Sequence, residues 1–168
     1  GVRLVGSEMC IRDRKDTILL ERDQLTSGTT WHAAGLVSQL GPSAAITKIR
    51  KYTLDLYKEL EKKVDHSAGL RLNGALSIAE NKGRWQELQR QATTAQLFDV
   101  DVRILDKEQI KKDYPIVNTD EVLGGILMPG DGAADPSGVT HMLAKAARME
   151  GAKTVSYTHL RAHETDSY

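Results

Sequence analysis

The chain has 168 residues with 23 basic and 23 acidic side chains, so its formal net charge at pH 7 is zero. A balanced charge gives no indication of a nucleic-acid surface or of a polybasic membrane tether. No apolar run approaches the roughly 20 residues of a membrane span. The chain has one cysteine, Cys10, so we expect neither a disulfide framework nor a thiolate metal site.

The two ends of the chain are related in a way that natural proteins have no reason to show. Codons can be chosen so that Leu4–Asp13 and Val155–Glu164 are encoded by the two complementary strands of one DNA segment. That segment also resembles the transposon-end adapter used to prepare sequencing libraries. We therefore expect residues 1–14 and 155–168 to be non-native, and we leave them out of the fold prediction.

The first predicted element is a short strand that ends in an acidic residue. Thr17–Leu20 is a continuous apolar run, which is typical of a parallel strand covered on both faces. Glu21 follows it directly, with Arg22 beside it. A carboxylate at the carboxyl end of the second strand of a dinucleotide-binding fold accepts hydrogen bonds from ribose hydroxyls. Glu21 is therefore a candidate cofactor ligand.

A turn of small polar residues comes next. Gly28 is free to take a positive φ, and Ser27, Thr29 and Thr30 offer backbone N–H groups and hydroxyls to a phosphate or a ring. His32 then lies within reach of whatever the turn holds. The residues that follow are too small to obstruct a flat ligand. The sequence therefore predicts a nucleotide-cofactor site here.

The middle of the chain alternates helices and strands. A 3–4 spacing of apolar residues predicts an amphipathic helix with Ile46, Ile49, Thr53, Leu56, Tyr57 and Leu60 on its inner face. Further elements are predicted as a strand at 71–79, a helix at 82–97 with Trp85 in its apolar stripe, and strands at 102–105 and 122–127. Asp106 and Gln109 form a predicted capping box.

The last predicted elements are a turn at Pro129–Gly132 and a helix that starts at Asp135–Pro136. Two acidic residues close together, Asp131 and Asp135, can indicate metal binding or acid–base chemistry. Turn and cap roles explain both residues more simply, and we predict no metal site. Residues 151–154 look like the entry to another strand.

Three motifs together carry a family resemblance. The run from Ile18 to Leu36, with Pro129–Gly132 and Asp135–Pro136, resembles the amino-terminal FAD domain of the dimethylglycine dehydrogenase and sarcosine dehydrogenase family, which includes bacterial methylaminobutanoate oxidases. The resemblance covers about residues 16–154. Its most discriminating part is the Trp31–His32 pair, which the wider group of amino-acid oxidases generally lacks at this point.

The resemblance implies a set of cofactor contacts. His32 corresponds to the histidine that is bonded covalently to the 8α carbon of the flavin. Glu21 would hold the adenosine ribose with Arg22 beside it. The flavin would be lined by the segment Gly28, Thr29, Thr30, Trp31, His32, Ala33, Ala34, Gly35 and Leu36. No residue of the chain is assigned as catalytic.

The resemblance also implies a fold and an activity. The fold class is α/β: part of a Rossmann-like FAD-binding domain (15–40 and 130–154) with an inserted α+β substrate-domain region (41–129). The first strand and its glycine-rich phosphate turn would lie upstream, so we expect the chain to be a fragment that is inactive by itself. The implied reaction oxidises an N-methyl amine, and either releases formaldehyde or passes a one-carbon unit to tetrahydrofolate in a separate carboxy-terminal domain.

Two alternatives remain open: an amino-acid oxidase of the same fold with non-covalent FAD, and a non-catalytic homologue such as the regulatory subunit of pyruvate dehydrogenase phosphatase. In the favoured interpretation the partner is a small amine substrate, with no nucleic acid and no membrane span. Oxygen and an electron-transfer flavoprotein are both possible electron acceptors. The expected location is the cytoplasm, or the mitochondrial matrix for a eukaryotic source.

Overall fold

The computed structural model describes residues 17–156. The predicted non-native segments therefore lie outside the described residues, apart from Val155 and Ser156. Within the described range the chain forms two compact units. The first comprises residues 17–35, 57–69 and 135–156, and the second comprises 36–56 and 70–134. The predicted insertion at 41–129 is thus divided, because residues 57–69 belong to the first unit.

The first unit contains a parallel pair of strands. Strand β1 (Ile18–Leu20) pairs with β7 (Lys153–Val155), and Ile18 lies opposite Lys153. Helix α4 (Pro136–Met149) precedes β7 and lies next to it in space. The strand predicted from residues 151–154 is therefore present, and a helix leads into it as in the α/β class.

The prediction that β1 is covered on both faces is wrong for the described residues. Ile18, Leu19 and Leu20 are 56%, 41% and 48% exposed. Within the described range their sheet has two strands, β1 and β7. The faces of a parallel strand are buried by helices packed on both sides of its sheet, and the described residues do not cover β1 in this way. The apolar run therefore identified the strand correctly but not its burial.

Helix α4 begins as predicted. The Asp135 carboxylate accepts hydrogen bonds from the backbone N–H groups of Ser137 and Gly138 at 3.1 and 2.9 Å, and Pro136 occupies the first turn. These contacts satisfy N–H groups that have no partner within the helix. The helix buries Val139, Met142, Leu143, Ala144, Ala146 and Ala147.

Helix α1 (Ala44–Val64) confirms the predicted amphipathic helix, but part of its predicted inner face is wrong. Ile46 and Ile49 are 38% and 59% exposed, whereas Thr47 is fully buried. The Thr47 hydroxyl accepts a hydrogen bond from Gly41 N–H at 3.0 Å and donates one to the Ser43 carbonyl at 3.0 Å. A hydroxyl that makes its hydrogen bonds can be buried at little cost in free energy. Thr47 is therefore buried in this part of the helix, where Ile46 and Ile49 were predicted to be.

The second unit is built on an antiparallel sheet in the order β3–β5–β4. These strands are β3 (Ala75–Ala79), β4 (Arg103–Leu105) and β5 (Gly124–Met128). Helices α2 (Lys82–Gln96) and α3 (Lys107–Asp113) lie against this sheet. Helix α3 begins with the predicted capping box of Asp106 and Gln109. A further short pair, β2 (Leu36–Val37) with β6 (Gly132–Ala133), was not predicted.

The core of the second unit lies between α2 and the sheet, where Leu88 and Ala92 of the helix cluster with Ile126 and Met128 of β5. Trp85 packs against this cluster. Its indole also lies directly over Gly124 of β5, because a Cβ atom added to Gly124 would be 2.7 Å from the Trp85 ring. Trp85 is therefore a core residue, as its place in the helix stripe predicted. No helix among residues 17–156 is long and apolar enough to cross a membrane.

Candidate cofactor site

Glu21 lies at the carboxyl end of β1, as predicted. Its backbone N–H donates to the Val155 carbonyl at 2.9 Å, which extends the pairing of β1 with β7 by one step. Its carboxylate accepts a hydrogen bond from Asp23 N–H at 3.0 Å. The side chain is partly exposed, and Arg22 beside it is exposed. A carboxylate anchored in this way can accept hydrogen bonds from ligand hydroxyls.

The turn after Glu21 differs from the prediction in one detail. The left-handed residue is Thr26, with φ 78°, and Gly28 is not among the residues with positive φ. The backbone N–H and hydroxyl of Ser27 both donate to the Gln24 carbonyl, at 3.1 and 2.8 Å, which closes the turn ahead of Gly28. The conformational freedom of Gly28 is therefore not what shapes the turn.

Gly28 instead leaves open space above the backbone. A Cβ atom added there would have no neighbouring atom within 4 Å. Gly28 and Thr29 are exposed, and Thr30 is partly exposed. A ligand can therefore approach this stretch of main chain closely, which is a common reason for glycine in cofactor-binding turns.

His32 is carried by a single 3-10 turn, Thr30–His32. Two backbone hydrogen bonds hold it, from His32 N–H to the Thr29 carbonyl at 3.2 Å and from Ala33 N–H to the Thr30 carbonyl at 3.1 Å. The turn lies next to helix α4 within the first unit. The imidazole of His32 is exposed, so a ligand can reach its ring nitrogens.

The two rings of the Trp31–His32 pair are in contact. Their centroids are 3.8 Å apart and their planes are tilted by 32°. The indole is 61% exposed, in contrast to the packed Trp85. An exposed pair of aromatic rings in contact offers apolar ring surface and in-plane nitrogen atoms to an aromatic ligand.

The residues after His32 keep this surface open. Ala33 and Ala34 are exposed and small, and Gly35 takes a φ of 70°, which favours glycine. Leu36, the first residue of β2 and of the second unit, is 81% exposed. From Glu21 to Gly35 the predicted site residues therefore lie in one unit, on a strand end and an open turn.

The chemistry of these residues fits a dinucleotide with a flat aromatic ring. They offer a carboxylate for hydroxyls, open backbone and hydroxyl groups for polar atoms, and two exposed aromatic rings in contact. Among the described residues, no group of three or more histidine, cysteine, aspartate or glutamate side chains could hold a metal ion.

Asp131 has a second role that sequence reasoning missed. It takes part in the predicted turn, where its N–H donates to the Met128 carbonyl at 3.2 Å. Its side chain is 3% exposed and accepts a hydrogen bond at 2.9 Å from the backbone N–H of Gln39, 92 positions away in the chain. Burial raises the pKa of Asp131 above its ordinary value. No local pattern predicts a partner so distant in sequence.

Comparison with known proteins identifies the family. The family model described as FAD-dependent oxidoreductase, DAO type, matches residues 9–167. This chain therefore belongs to the DAO-type family of FAD-dependent oxidoreductases, and the predicted α/β FAD-domain fold class is confirmed.

The relatives with similar sequences point to a narrower group. The chain is 38% identical over 139 residues to human mitochondrial sarcosine dehydrogenase and 35% identical over 137 residues to rat mitochondrial dimethylglycine dehydrogenase. It is also 38% identical over 136 residues to the formaldehyde-forming 4-methylaminobutanoate oxidase of Paenarthrobacter nicotinovorans. These matches cover 81–82% of this chain but only 15–16% of each relative.

Solved structures agree on the fold. L-proline dehydrogenase from P. horikoshii matches with a TM-score of 0.80 at 23% identity, over 94% of this chain and 41% of that one. Glycine oxidase from Geobacillus kaustophilus matches with a TM-score of 0.72 at 23% identity, over 92% of this chain and 43% of that one. At these identities the likeness shows the fold alone.

Proposed function

We propose that the complete gene product carrying this chain oxidises N-methyl amines of the dimethylglycine, sarcosine or methylaminobutanoate type, with FAD bonded covalently to His32. The observation that carries the proposal is the exposed imidazole of His32 on its supported 3-10 turn. The relatives named for sarcosine, dimethylglycine and 4-methylaminobutanoate support this choice of substrate class.

In this proposal, different residues of the chain contact different parts of the cofactor. Glu21 accepts hydrogen bonds from the adenosine ribose at the end of β1, and Arg22 lies beside it. The open backbone from Gly28 to Thr30 approaches the flavin, and the small residues from Ala33 to Gly35 leave room for its ring. His32 provides the covalent tether.

Bound FAD would supply the electron chemistry by accepting a hydride equivalent from the carbon next to the substrate nitrogen. The chain's part is to hold and tune the cofactor. An imidazole attached at the 8α carbon withdraws electrons and so raises the reduction potential of the flavin. No residue of the chain is assigned as a substrate contact or as a general base in this proposal.

The product and the location are part of the same proposal. The carbon removed from the amine leaves as formaldehyde, or it passes to tetrahydrofolate in a further domain. The electrons go to oxygen or to an electron-transfer flavoprotein. The sarcosine and dimethylglycine relatives are named as mitochondrial, so a eukaryotic source would place this protein in the mitochondrial matrix and a bacterial source in the cytoplasm.

Turnover with defined amines tests the proposal. We expect the complete gene product to bleach its flavin absorbance when dimethylglycine, sarcosine or 4-methylaminobutanoate is added under anaerobic conditions. Glycine and proline are matched controls that lack an N-methyl group, and they should leave the absorbance unchanged. Reduction by glycine or proline but not by the N-methyl amines would support the amino-acid oxidase alternative and contradict the proposal.

A regulatory role is a second candidate, favoured by one comparison. The chain is 26% identical over 144 residues to the mouse mitochondrial pyruvate dehydrogenase phosphatase regulatory subunit. A protein of that kind would bind no substrate amine, so its flavin absorbance would stay constant with every compound in the same experiment.

A further inference from the structure

Two histidines that are distant in the chain lie side by side in the first unit. His66 is in the loop that follows helix α1, and His141 is on helix α4. Their ring centroids are 6.4 Å apart, and the ring planes are tilted by 65°. His141 is exposed and His66 is partly exposed. A dissolved ion can therefore reach both imidazoles.

The backbone on either side of His66 is fixed to helix α4. The Lys145 ammonium donates a hydrogen bond to the Asp65 carbonyl at 3.0 Å. The backbone N–H of Asp135, the cap residue of the same helix, donates to the Ala68 carbonyl at 2.8 Å. The loop is therefore held where its histidine lies next to the helix, and this proximity does not depend on the two rings alone.

The separation of the two rings is close to that of two imidazoles sharing a metal ion. A histidine nitrogen binds zinc at about 2.0–2.1 Å, which puts the ring centroid roughly 3 Å from the ion and two such centroids about 5–6 Å apart. The observed centroids are 6.4 Å apart. Rotation of the exposed His141 ring about its side-chain torsions can close the difference. Because the rings are not stacked, their faces do not cover the edges that carry the nitrogen atoms.

We propose that His66 and His141 form a binding site for a divalent transition-metal ion, with Cu²⁺ bound more tightly than Ni²⁺ or Zn²⁺. The two imidazoles are the protein ligands, and water completes the coordination. The site is thus more open than one built from three or more side chains, and the described residues contain no such larger group. The proposal is independent of the proposed oxidation of amines.

The charges around the pair favour imidazole chemistry over simple attraction of cations. Asp65 precedes His66 in the loop, and Lys145 lies one helical turn after His141, so a carboxylate and an ammonium lie on the elements that carry the two rings. Opposite charges of this kind offset each other. Hard cations such as Mg²⁺ and Ca²⁺ prefer several oxygen ligands, so we expect them not to compete for the site.

Titration of the complete gene product with Cu²⁺, in a buffer that does not bind metal, tests the proposal. The complete gene product is used because Cys10, His159 and His163 of the predicted non-native ends could bind the ion in the isolated chain. Isothermal titration calorimetry measures the number of bound ions and their affinity. Ions bound elsewhere in the protein give a background that is common to all variants.

The variants are His66→Gln, His141→Gln and the two combined. Lys82→Gln, at an exposed position of the second unit, is the control for loss of a basic side chain. We expect the wild type and the control to bind one Cu²⁺ that each histidine variant binds at least about tenfold more weakly. The double variant should resemble the single ones, because loss of either ligand already breaks the chelate. An excess of Mg²⁺ should leave binding unchanged.

Three results would overturn the proposal. Equal binding by the wild type and the double variant would show that the pair binds no metal. Losses in the two single variants that add up in the double variant would show two independent histidines instead of a shared ion. Displacement of the ion by Mg²⁺ would indicate an oxygen site. The unfolding temperature without metal checks that each variant folds, and where a glutamine variant unfolds early, the asparagine variant at that position gives the same test.

Discussion

Asp131 keeps a carboxyl group almost completely buried, and this makes the stability of the protein depend on pH. Burial is the main cause that raises its pKa above the ordinary value of 3.8, and it outweighs the hydrogen bonds from Gln39 and the nearby Arg50 charge, which lower the pKa. The folded state therefore binds more protons than the unfolded state between the two pKa values. The resulting stabilisation is full below the unfolded pKa and is lost as pH rises through the folded one.

Asp131→Asn removes the titrating group and keeps its shape. We expect the free energy of unfolding of this variant, relative to wild type, to rise as pH increases from 3.8 through the raised folded-state pKa of Asp131, because only the wild type loses stability on ionisation. Urea denaturation across that range measures it. Asp113→Asn, at the exposed end of α3, is the surface control. A difference between Asp131→Asn and wild type that stays constant or falls with pH would contradict the assignment.

Substitution of Gly28 tests the role of the turn in FAD binding separately from its role in the stability of the fold. A Cβ atom at Gly28 meets nothing within 4 Å, so we expect Gly28→Ala to change the free energy of unfolding by less than about 0.5 kcal/mol. If the flavin approaches this backbone, the added methyl group lowers FAD occupancy of the complete gene product. Gly83→Ala, in helix α2, is the matched control and should leave occupancy unchanged. Full occupancy in Gly28→Ala would remove this turn from the proposed site.

At the scale of elements, local patterns predicted most of the helices and strands. Asp135–Pro136 and Asp106–Gln109 gave two helix starts correctly because capping depends on residues only a few positions apart. The burial of β1 and of the first turn of α1 was mispredicted. Burial depends on which elements lie nearby in space, and Ile49 of α1 has the periodicity of a core residue but is 59% exposed among the described residues.

The short pairing of β2 with β6 was missed for a related reason. Two residues on each strand are too few for an alternating pattern, and the partners Val37 and Gly132 are far apart in the chain. A third segment also lies close to β6, since a Cβ atom on Gly132 would lie 1.9 Å from the Arg71 carbonyl oxygen and Arg71 forms a bridge with Ala133. The sequence marked the glycine as part of a turn, but it could not identify the chain segment that lies against it.

The carboxyl end of helix α2 provides a prediction about stability. Asp99, two residues beyond the Leu97 cap, takes a left-handed φ of 51°. Glycine adopts this conformation without the steric cost of a side chain. We therefore expect Asp99→Gly to raise the free energy of unfolding by about 0.5–1 kcal/mol, measured by urea denaturation.

A β-branched replacement of Asp99 is the control, and it is expected to change the free energy of unfolding in the opposite direction. Asp99→Val places a branched side chain in the left-handed region and should destabilise the protein. If Asp99→Gly were less stable than wild type, the aspartate side chain would be stabilising this helix end by a contact that outweighs the backbone strain.

At the scale of the whole molecule, the chain contains one part of a cofactor site. In the proposed function Glu21 accepts hydrogen bonds from the ribose and His32 is the tether, but the 168 residues contain no Gly-x-Gly-x-x-Gly phosphate turn. Backbone N–H groups at such a turn hold the pyrophosphate by charge-assisted hydrogen bonds. We expect the isolated chain to bind FAD more weakly than about 1 μM and to show no amine oxidation. Submicromolar binding in a fluorescence titration would contradict this expectation.

The family and the fold class followed from the segment between Ile18 and Leu36 together with Pro129–Gly132 and Asp135–Pro136, because such motifs depend on residue types at fixed spacing, whereas the cofactor contacts remain a prediction. The organisation into two units did not follow. Residues 57–69 belong to the first unit although they continue helix α1 from the second. A continuous helical pattern predicts a single element, and it carries no information on which unit each half belongs to.

The covalent tether is the central claim, and the mass of one peptide tests it most directly. Trypsin cleavage after Arg22 and Lys48 releases Asp23–Lys48, in which His32 is the one histidine. From the complete gene product expressed with riboflavin, we expect this peptide to be heavier by the mass of one covalently bound flavin, with fragmentation placing the addition on His32. An unmodified Asp23–Lys48 peptide from protein that is saturated with FAD before digestion would contradict the account.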